Sequence, residues 1–383
     1  MKNIRLLISC FAVALLFVSC EAEESGPVHE DGSVEADLSL GNVARILSSL
    51  PMQNAHLNEV FDAVNSSSGH GYDEEYMMAD LFVNPGAGVG SGGVPSRAGG
   101  YDNPLRDLFE DYFNSLPATR SSSVGAKEYI EALSASDIQI YWPYSSDWDG
   151  EEYPIVTFDP GYGAESNYGY EVRIEDGGVR VVDSVYVDES VAMRRPVWVI
   201  NRNDDSAFTP QEMFVRSGTR ADAGSAGTKL MIKEFTMLRN YDSWFGGASE
   251  FFVKCGAVDG FKASKDEDLK LYHPSVTDFM ISVKRRDVKV PQPFECLLLT
   301  DFTDQIDKLA FLITEDDGGT TTTWKCQASV KYKSKNYGFD IEIPYKDKDD
   351  IVWRGQLSGS FFMSEKKEVT GRFGDVMITF SLE

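Results

Sequence analysis

Between residues 37 and 135, apolar positions recur every three or four residues, which is the spacing of amphipathic helices. Four segments show this spacing: 40–50, 57–64, 105–116 and 126–133. Pro51 ends the first segment, while Asn103 can cap the third and Pro117 ends it. We therefore predict a helical region at 37–135 with Gly/Ser-rich linkers. Its apolar stripes must be buried against each other or on the part of the chain that follows.

From Asp137 to the end of the chain the apolar period changes to two. The alternation is clearest at 339–345 and 376–382, and it is typical of half-buried antiparallel strands. The Asp176-Gly177 and Asp317-Gly318 pairs stand between apolar runs and predict hairpin turns. About a dozen strands fit the pattern, which is the density expected of β-sandwiches.

Together these patterns predict an α+β chain that is mainly β, with a helical segment before an antiparallel β-sandwich region. The β region is long enough for two sandwiches. We place them at 137–258 and 275–383, with the break at 259–274 rather than at the alternative, 218–227. The sequence contains no run of βαβ units, which excludes a parallel nucleotide-binding sheet.

Residues 1–19 have the pattern of a secretory signal peptide. Lys2 and Arg5 come first, an apolar run extends over 6–18, and Ser19-Cys20 follows. The run is shorter than the roughly 20 apolar residues that cross a bilayer. Residues 20–36 are acidic, contain Gly and Pro and have few apolar side chains, so we expect a disordered tether.

The Phe17-Val18-Ser19-Cys20 stretch resembles the lipobox of bacterial lipoproteins. This resemblance implies that Cys20 receives a diacylglycerol and becomes the N-terminus after residues 1–19 are removed. The acidic residues behind Cys20 are similar to the signal that takes Bacteroidota lipoproteins to the cell surface. Segments 66–76, 196–199 and 349–355 also resemble stretches of gut Bacteroidota lipoproteins. The resemblance implies an outer-membrane lipoprotein exposed on the cell surface, and it carries over no site residues other than Cys20.

The charge of the chain bears on its partners. The formal net charge is -25, and it becomes more negative when Lys2 and Arg5 leave with the signal peptide. Nucleic acids and anionic lipids are bound mainly through Lys and Arg, so this chain is expected to bind no nucleic acid. The expected partners are the membrane, through the lipid anchor, and a glycan or an envelope protein.

Three cysteines remain after Cys20. Cys255, Cys296 and Cys326 alternate in phase with apolar neighbours, which predicts unpaired thiols in the core. The alternative, one disulfide, would leave an odd thiol. A zinc site formed with His273 is disfavoured, because the sequence has no Cys-x-x-Cys pair.

Sequence motifs for catalysis are scarce. The chain has four histidines, and only His273 lies in the β region. Neither His-Glu-x-x-His nor Gly-x-Ser-x-Gly occurs, which argues against zinc proteases and serine hydrolases of the α/β type. Pairs of acidic residues remain possible as catalytic groups, because a glycosidase needs only two carboxylates about 5–10 Å apart.

One stretch combines aromatic rings with carboxylates, as sugar-binding sites do. It contains Trp142, Tyr144, Asp147, Trp148 and Asp149, and a second such cluster contains Trp244. Flat rings can stack on sugars while acids bind hydroxyl groups. We predict that these six residues bind a ligand. The alternative is a strand that ends in a charged turn, with Trp142 packed on the core.

Calcium is the one cofactor for which the sequence offers ligands, since this ion prefers the oxygen atoms of acidic loops. The candidate ligands lie in predicted turns and are Asp316, Asp317, Asp347, Asp349 and Asp350. Solvated turns are the alternative, because the full twelve-residue calcium loop is missing.

Two functions are therefore compatible with the sequence. The favoured one is a lipid-anchored surface protein with a non-catalytic binding or envelope-assembly role. The alternative is a carboxylate-dependent hydrolase of glycans, which requires two acids facing each other beside Trp142, Trp148 or Trp244.

Overall fold

The computed structural model describes residues 36–82, 104–115, 126–175, 179–203, 227–363 and 367–383. Residues 36–383 form one compact unit. The predicted signal peptide, Cys20, nearly all of the tether and the Asp176-Gly177 turn lie outside the described residues. In the part of the chain that is described, no helix is long and apolar enough to cross a membrane.

The N-terminal part is helical, as the apolar spacing predicts. The helices of this part are α1 (Leu40–Ser49), α2 (Asn54–Gly69), α3 (Met78–Leu81), α4 (Leu105–Ser115) and α5 (Ala126–Ser134). Two short helices, α6 (Glu189–Ala192) and α7 (Gly359–Phe362), lie between strands further along the chain. Helix α1 buries Val43 and Leu47 and stops before Pro51, which lacks the N–H that a helix interior needs. At the start of α2, His56 Nδ1 accepts a hydrogen bond from the backbone N–H of Gln53 at 3.0 Å.

The first sheet has six strands in the order β1-β2-β6-β3-β4-β5. Their bounds are β1 (Glu75–Met77), β2 (Ile138–Tyr141), β3 (Ile155–Phe158), β4 (Ser166–Glu175), β5 (Val179–Asp188) and β6 (Val197–Arg202). All pairs are antiparallel except β3 with β6. Apolar side chains of α1, α2, α4 and α5 share one core with Ile140, Trp142, Val156 and Trp198 of the sheet. The predicted helical stripes are therefore buried on this sheet.

Two further sheets form a sandwich. One is β10-β7-β16-β15, and the other is β13-β12-β11-β8-β9, with β14 also paired to β11. The bounds are β7 (Leu230–Met237), β8 (Ser249–Ala257), β9 (Ser275–Val283), β10 (Gln292–Leu299), β11 (Ile306–Glu315), β12 (Thr321–Tyr332), β13 (Lys335–Lys346), β14 (Asp350–Ser358), β15 (Glu368–Phe373) and β16 (Val376–Leu382). The two sheets share a core in which the ring centroids of Phe311 and Phe380 are 5.8 Å apart.

Strand β8 is buried along its whole length. One cause is the β12–β13 hairpin, whose Ile341 and Ile343 pack on Gly256 of β8. A Cβ on Gly256 would lie 3.0 Å from Ile341 Cδ1, so a side chain here would push Ile341 aside, and glycine allows the hairpin to pack closely on β8. The three cysteines are free: Cys255 and Cys296 are buried and Cys326 is half-buried, as predicted.

The fold class is confirmed: the chain is mainly β, with a helical segment before the sheets. The predicted break at 259–274 is wrong, because β8 and β9 pair antiparallel across it, from Ser249 with Val283 to Ala257 with Ser275. The first β region also differs from a sandwich. Among its described residues the strands form one sheet, which is covered by helices on one face, and the first described strand of the next sheet begins at Leu230.

Candidate functional site

The predicted aromatic and acidic stretch forms a tight turn at the end of β2. The backbone N–H of Trp142 donates to the carbonyl oxygen of Glu74, and Tyr144 then adopts a left-handed φ of 61°. A 3-10 turn follows at Ser145–Asp147. Asp149 Oδ1 accepts hydrogen bonds from the backbone N–H groups of Glu151 and Glu152, which closes the turn. These local contacts direct the turn toward α6 and the segment that leads into β6.

A pocket of about 230 Å³ lies between the turn and that segment. Five of the six predicted ligand-binding residues line it, and Ala192, Met193, Arg194, Arg195, Pro196 and Glu152 complete the wall. Trp142 is fully buried in its floor, 5.2 Å from the ring of Trp148. Trp148 is half-buried, and its Nε1 donates to the carbonyl oxygen of Glu152. Half-exposed Trp148 and Tyr144 are therefore the aromatic surfaces that a ligand can reach.

The acids of this pocket are already engaged. Arg195 donates to Glu152 Oε1 at 2.6 Å and to Glu171 Oε1 at 2.6 Å. Asp147 pairs with Arg286 at 3.4 Å. The pKa of Asp149 is lowered by its backbone hydrogen bonds from Glu152 and Glu151. A glycosidase needs one acid that stays protonated, and none of these contacts would keep a proton on a carboxyl group.

Trp244 lies apart from this pocket. It is fully buried against Phe245, and its Nε1 donates to the carbonyl oxygen of Glu165 at 3.0 Å. The loop that carries it packs on the face of the first sheet opposite the helices. The position of this loop explains why it contains aromatic residues, because the rings of Trp244 and Phe245 fill the contact between the first sheet and the sandwich.

Three of the five predicted calcium ligands have other partners. Asp316 pairs with Lys346 Nζ at 2.7 Å, and Asp347 accepts from the backbone and side chain of Thr320. Asp349 accepts from the backbone N–H of Lys346. A fourth, Asp350, is exposed and opposes Glu315 across β11 and β14. These positions fit turns that are held by their own side chains.

Asp317 is brought together with two residues that the sequence did not indicate. Carboxylate oxygens of Asp242, Glu315 and Asp317 all lie within 4.8 Å of one another. Burial raises the pKa of Asp317 to about 6, and the charge of Asp242 acts in the same direction. Burial also raises the pKa of Asp242. This acidic group is the one arrangement in the described chain in which three such ligands could hold a cation.

A separate, buried pair of acids, Asp73 and Glu74, supports the turn of the pocket. Ser145 Oγ donates to Glu74 Oε1 at 2.9 Å. Asp73 accepts from the backbone N–H groups of Glu74 at 2.7 Å and Ala248 at 2.8 Å. It thereby ties the first sheet to the loop before β8. Sequence reasoning missed these roles, since both acids lie in a short polar segment without periodicity.

Comparison with known proteins adds no relative. No family model matches the chain, and no curated protein matches it at a significant level.

Proposed function

We propose that this chain is an outer-membrane lipoprotein, acylated on Cys20 and facing the cell surface, with a non-catalytic binding or envelope-assembly role. The order of charge, apolar core and Ser19-Cys20 supports export and lipidation. Two or more acyl chains make a stable anchor, whereas one chain is marginal. The anchor accounts for the membrane as a partner.

The observation that carries the binding role is the pocket between Trp148 and Arg195. Half-exposed aromatic rings of Trp148 and Tyr144 lie beside hydrogen-bonding groups, which is the composition that sugars require. Its volume of about 230 Å³ is below the roughly 300–1,000 Å³ of drug-sized sites. We therefore propose that it holds one sugar ring or the end of a glycan chain.

The hydrolase alternative has less support. The carboxylates beside Trp148 belong to ion pairs with Arg195 and Arg286 or to a backbone turn. Such contacts stabilise charged carboxylates and oppose the protonated acid that glycoside cleavage needs. Binding without turnover is the function that this geometry favours.

The test combines binding with turnover. Cello-, manno-, xylo- and chito-oligosaccharides are added to the purified protein while its melting temperature and the release of reducing ends are followed. A bound sugar stabilises the folded state by about 2.7 kcal/mol when its concentration is a hundredfold above Kd, and this stabilisation raises the melting temperature. We expect Trp148→Ala to abolish this rise, whereas Trp324→Ala, a half-buried tryptophan on the sandwich, retains it.

Two results would contradict the proposal. A rise that survives Trp148→Ala would place sugar binding elsewhere. Steady release of reducing ends, abolished by Glu152→Gln or Asp147→Asn, would establish the hydrolase instead.

A further inference from the structure

Strand β5 is the end strand of the first sheet. In the order of that sheet its only described neighbour is β4, paired from Ser166 with Asp188 to Glu175 with Val179. The outer edge of β5 therefore has no strand partner within the described residues. At ten residues it is long for an edge, and edges of this kind readily pair with another strand.

An exposed apolar strip lies on one face of this edge. Its members, with exposed fractions, are Tyr168 (64 %), Ile174 (56 %), Val182 (42 %) and Tyr186 (55 %). The β4–β5 register pairs Tyr168 with Tyr186 and places all four on the same face. Tyr170, on that face of β4, packs against the helical core, whereas on β5 it is Arg180, at one end of the strip, that contacts α1, through Ser48. Contiguous exposed apolar side chains of this kind mark interaction surfaces.

On the face of the apolar strip, the two charges of β5 are placed symmetrically about Ser184, while the third charge of the strand, Asp183, lies on the other face and pairs with Arg173. Arg180 and Asp188 lie four residues to either side of it, on the face of the apolar strip. Arg180 donates to the carbonyl oxygen of Ser48, and its buried Nε has no hydrogen-bond partner within the described chain. Asp188 accepts from Ser190 and Val191 through Oδ1, so Oδ2 remains for another donor.

We propose that β5 pairs antiparallel with β5 of a second copy of this chain, about a twofold axis at Ser184. This register opposes Arg180 to Asp188 and Val182 to Tyr186, and the symmetry makes each pair occur twice. An axis at Asp183 would oppose two like charges, and an axis at Val185 would place Val182 against Asp188. On the face of the apolar strip, the Ser184 register alone among these three joins opposite charges and apolar side chains. On the other face it opposes Val181 to Val187 and Asp183 to Val185.

The occupant is a second copy because the strand is complementary to itself. An unrelated extended peptide could use the main-chain groups of the edge, but it would have to carry the same spacing of charge and apolar residues by chance. Pairing joins two six-stranded sheets into one continuous sheet. It also brings the two exposed strips side by side, between the two helix layers.

Cross-linking through Ser184→Cys tests the pairing in cells that express the full chain. On the twofold axis the two introduced thiols would face each other, because opposed residues of antiparallel strands have Cα atoms about 4.5–5.5 Å apart. That separation lies within the range for a disulfide. The wild type and Ser275→Cys, an exposed serine on the edge strand β9, are the controls.

We expect mild oxidation to give Ser184→Cys a band at twice the chain mass, at least about fivefold stronger than in Ser275→Cys. Adding Val182→Lys should remove most of this band, because it opposes a lysine to Tyr186 in each pair. Arg180→Glu, which opposes two acids, should weaken it independently. Equal bands from both cysteine variants, no band, or a product with the mass of a different protein would overturn the proposal.

Discussion

Asp73 permits a quantitative prediction about pH and stability. Its carboxylate is buried and accepts two backbone hydrogen bonds, from Glu74 and Ala248. Burial raises the pKa of Asp73 from 3.8 to about 7, and the charge of Glu74 acts in the same direction. The unfolded chain therefore releases this proton at lower pH than the folded chain. Its contribution to stability is lost as the pH rises from about 4 to about 7, and it stays lost above that range.

The magnitude follows from the size of the shift. One pKa unit corresponds to about 1.4 kcal/mol, so the full effect of Asp73 is about 4 kcal/mol. Asp73→Asn removes the titration and costs about 1 kcal/mol for one lost hydrogen bond, independent of pH. Between about pH 4.5 and about pH 8, we expect the free energy of unfolding of Asp73→Asn relative to the wild type to rise by about 3 kcal/mol.

Urea denaturation at several pH values measures this difference. Acids that lie far from Asp73 affect both proteins equally, so the difference between variant and wild type reports on Asp73 together with its coupling to Glu74. Asp304→Asn, at an exposed position of the sandwich, should show no such trend. A difference that stays flat or falls with rising pH would show that Asp73 is not protonated in the folded chain at low pH as proposed.

Three further variants test the core and the acidic group. Trp142→Ala should lower the free energy of unfolding by about 3–5 kcal/mol, because it empties a fully buried site, whereas half-buried Trp148→Ala should cost clearly less. Gly359→Ala should cost about 1–3 kcal/mol, because its Cβ would overlap the carbonyl oxygen of Ile306, while Gly69→Ala meets open space and serves as the control. In the absence of metal at about pH 8, Asp317→Asn should gain about 1 kcal/mol of stability after solvent screening, and this gain should shrink as the pH falls from about 6 to about 4 and be absent below that range. Calcium should raise the melting temperature of the wild type more than that of Asp317→Asn, and an equal effect on both would count against a cation at this group.

The helices could be predicted because their signals are local. Helix α1 ends just before Pro51, and α4 covers 105–115 of the predicted 105–116. Each apolar stripe needs only its own residues to define a face. The alternation of β12, β13 and β16 was recognised for the same reason.

The arrangement of the strands depends on distant residues and could not be predicted. The segment between β8 and β9 is polar and resembles a linker, yet the two strands pair across it. Strand β1 has only three residues and pairs with β2, more than sixty positions later. A period of two shows which face is buried but does not name the partner strand.

The candidate site was predictable where its residues are contiguous. Trp142, Tyr144 and Trp148 follow one another in a single turn, so one wall of the pocket was visible in the sequence. The opposite wall, with Arg194 and Arg195, comes from a segment some fifty residues away and carries no motif. Asp242 and Glu315 were missed for a similar reason, since the fold brings the loop between β7 and β8 next to the end of β11.

Mass spectrometry of the mature N-terminus, on protein purified from the membranes of the organism that encodes it, would show whether Cys20 is acylated. We expect the chain to begin at Cys20 and this residue to carry a diacylglycerol, with residues 1–19 absent. A chain that keeps Met1, or one that begins at any residue other than an acylated Cys20, would contradict this expectation.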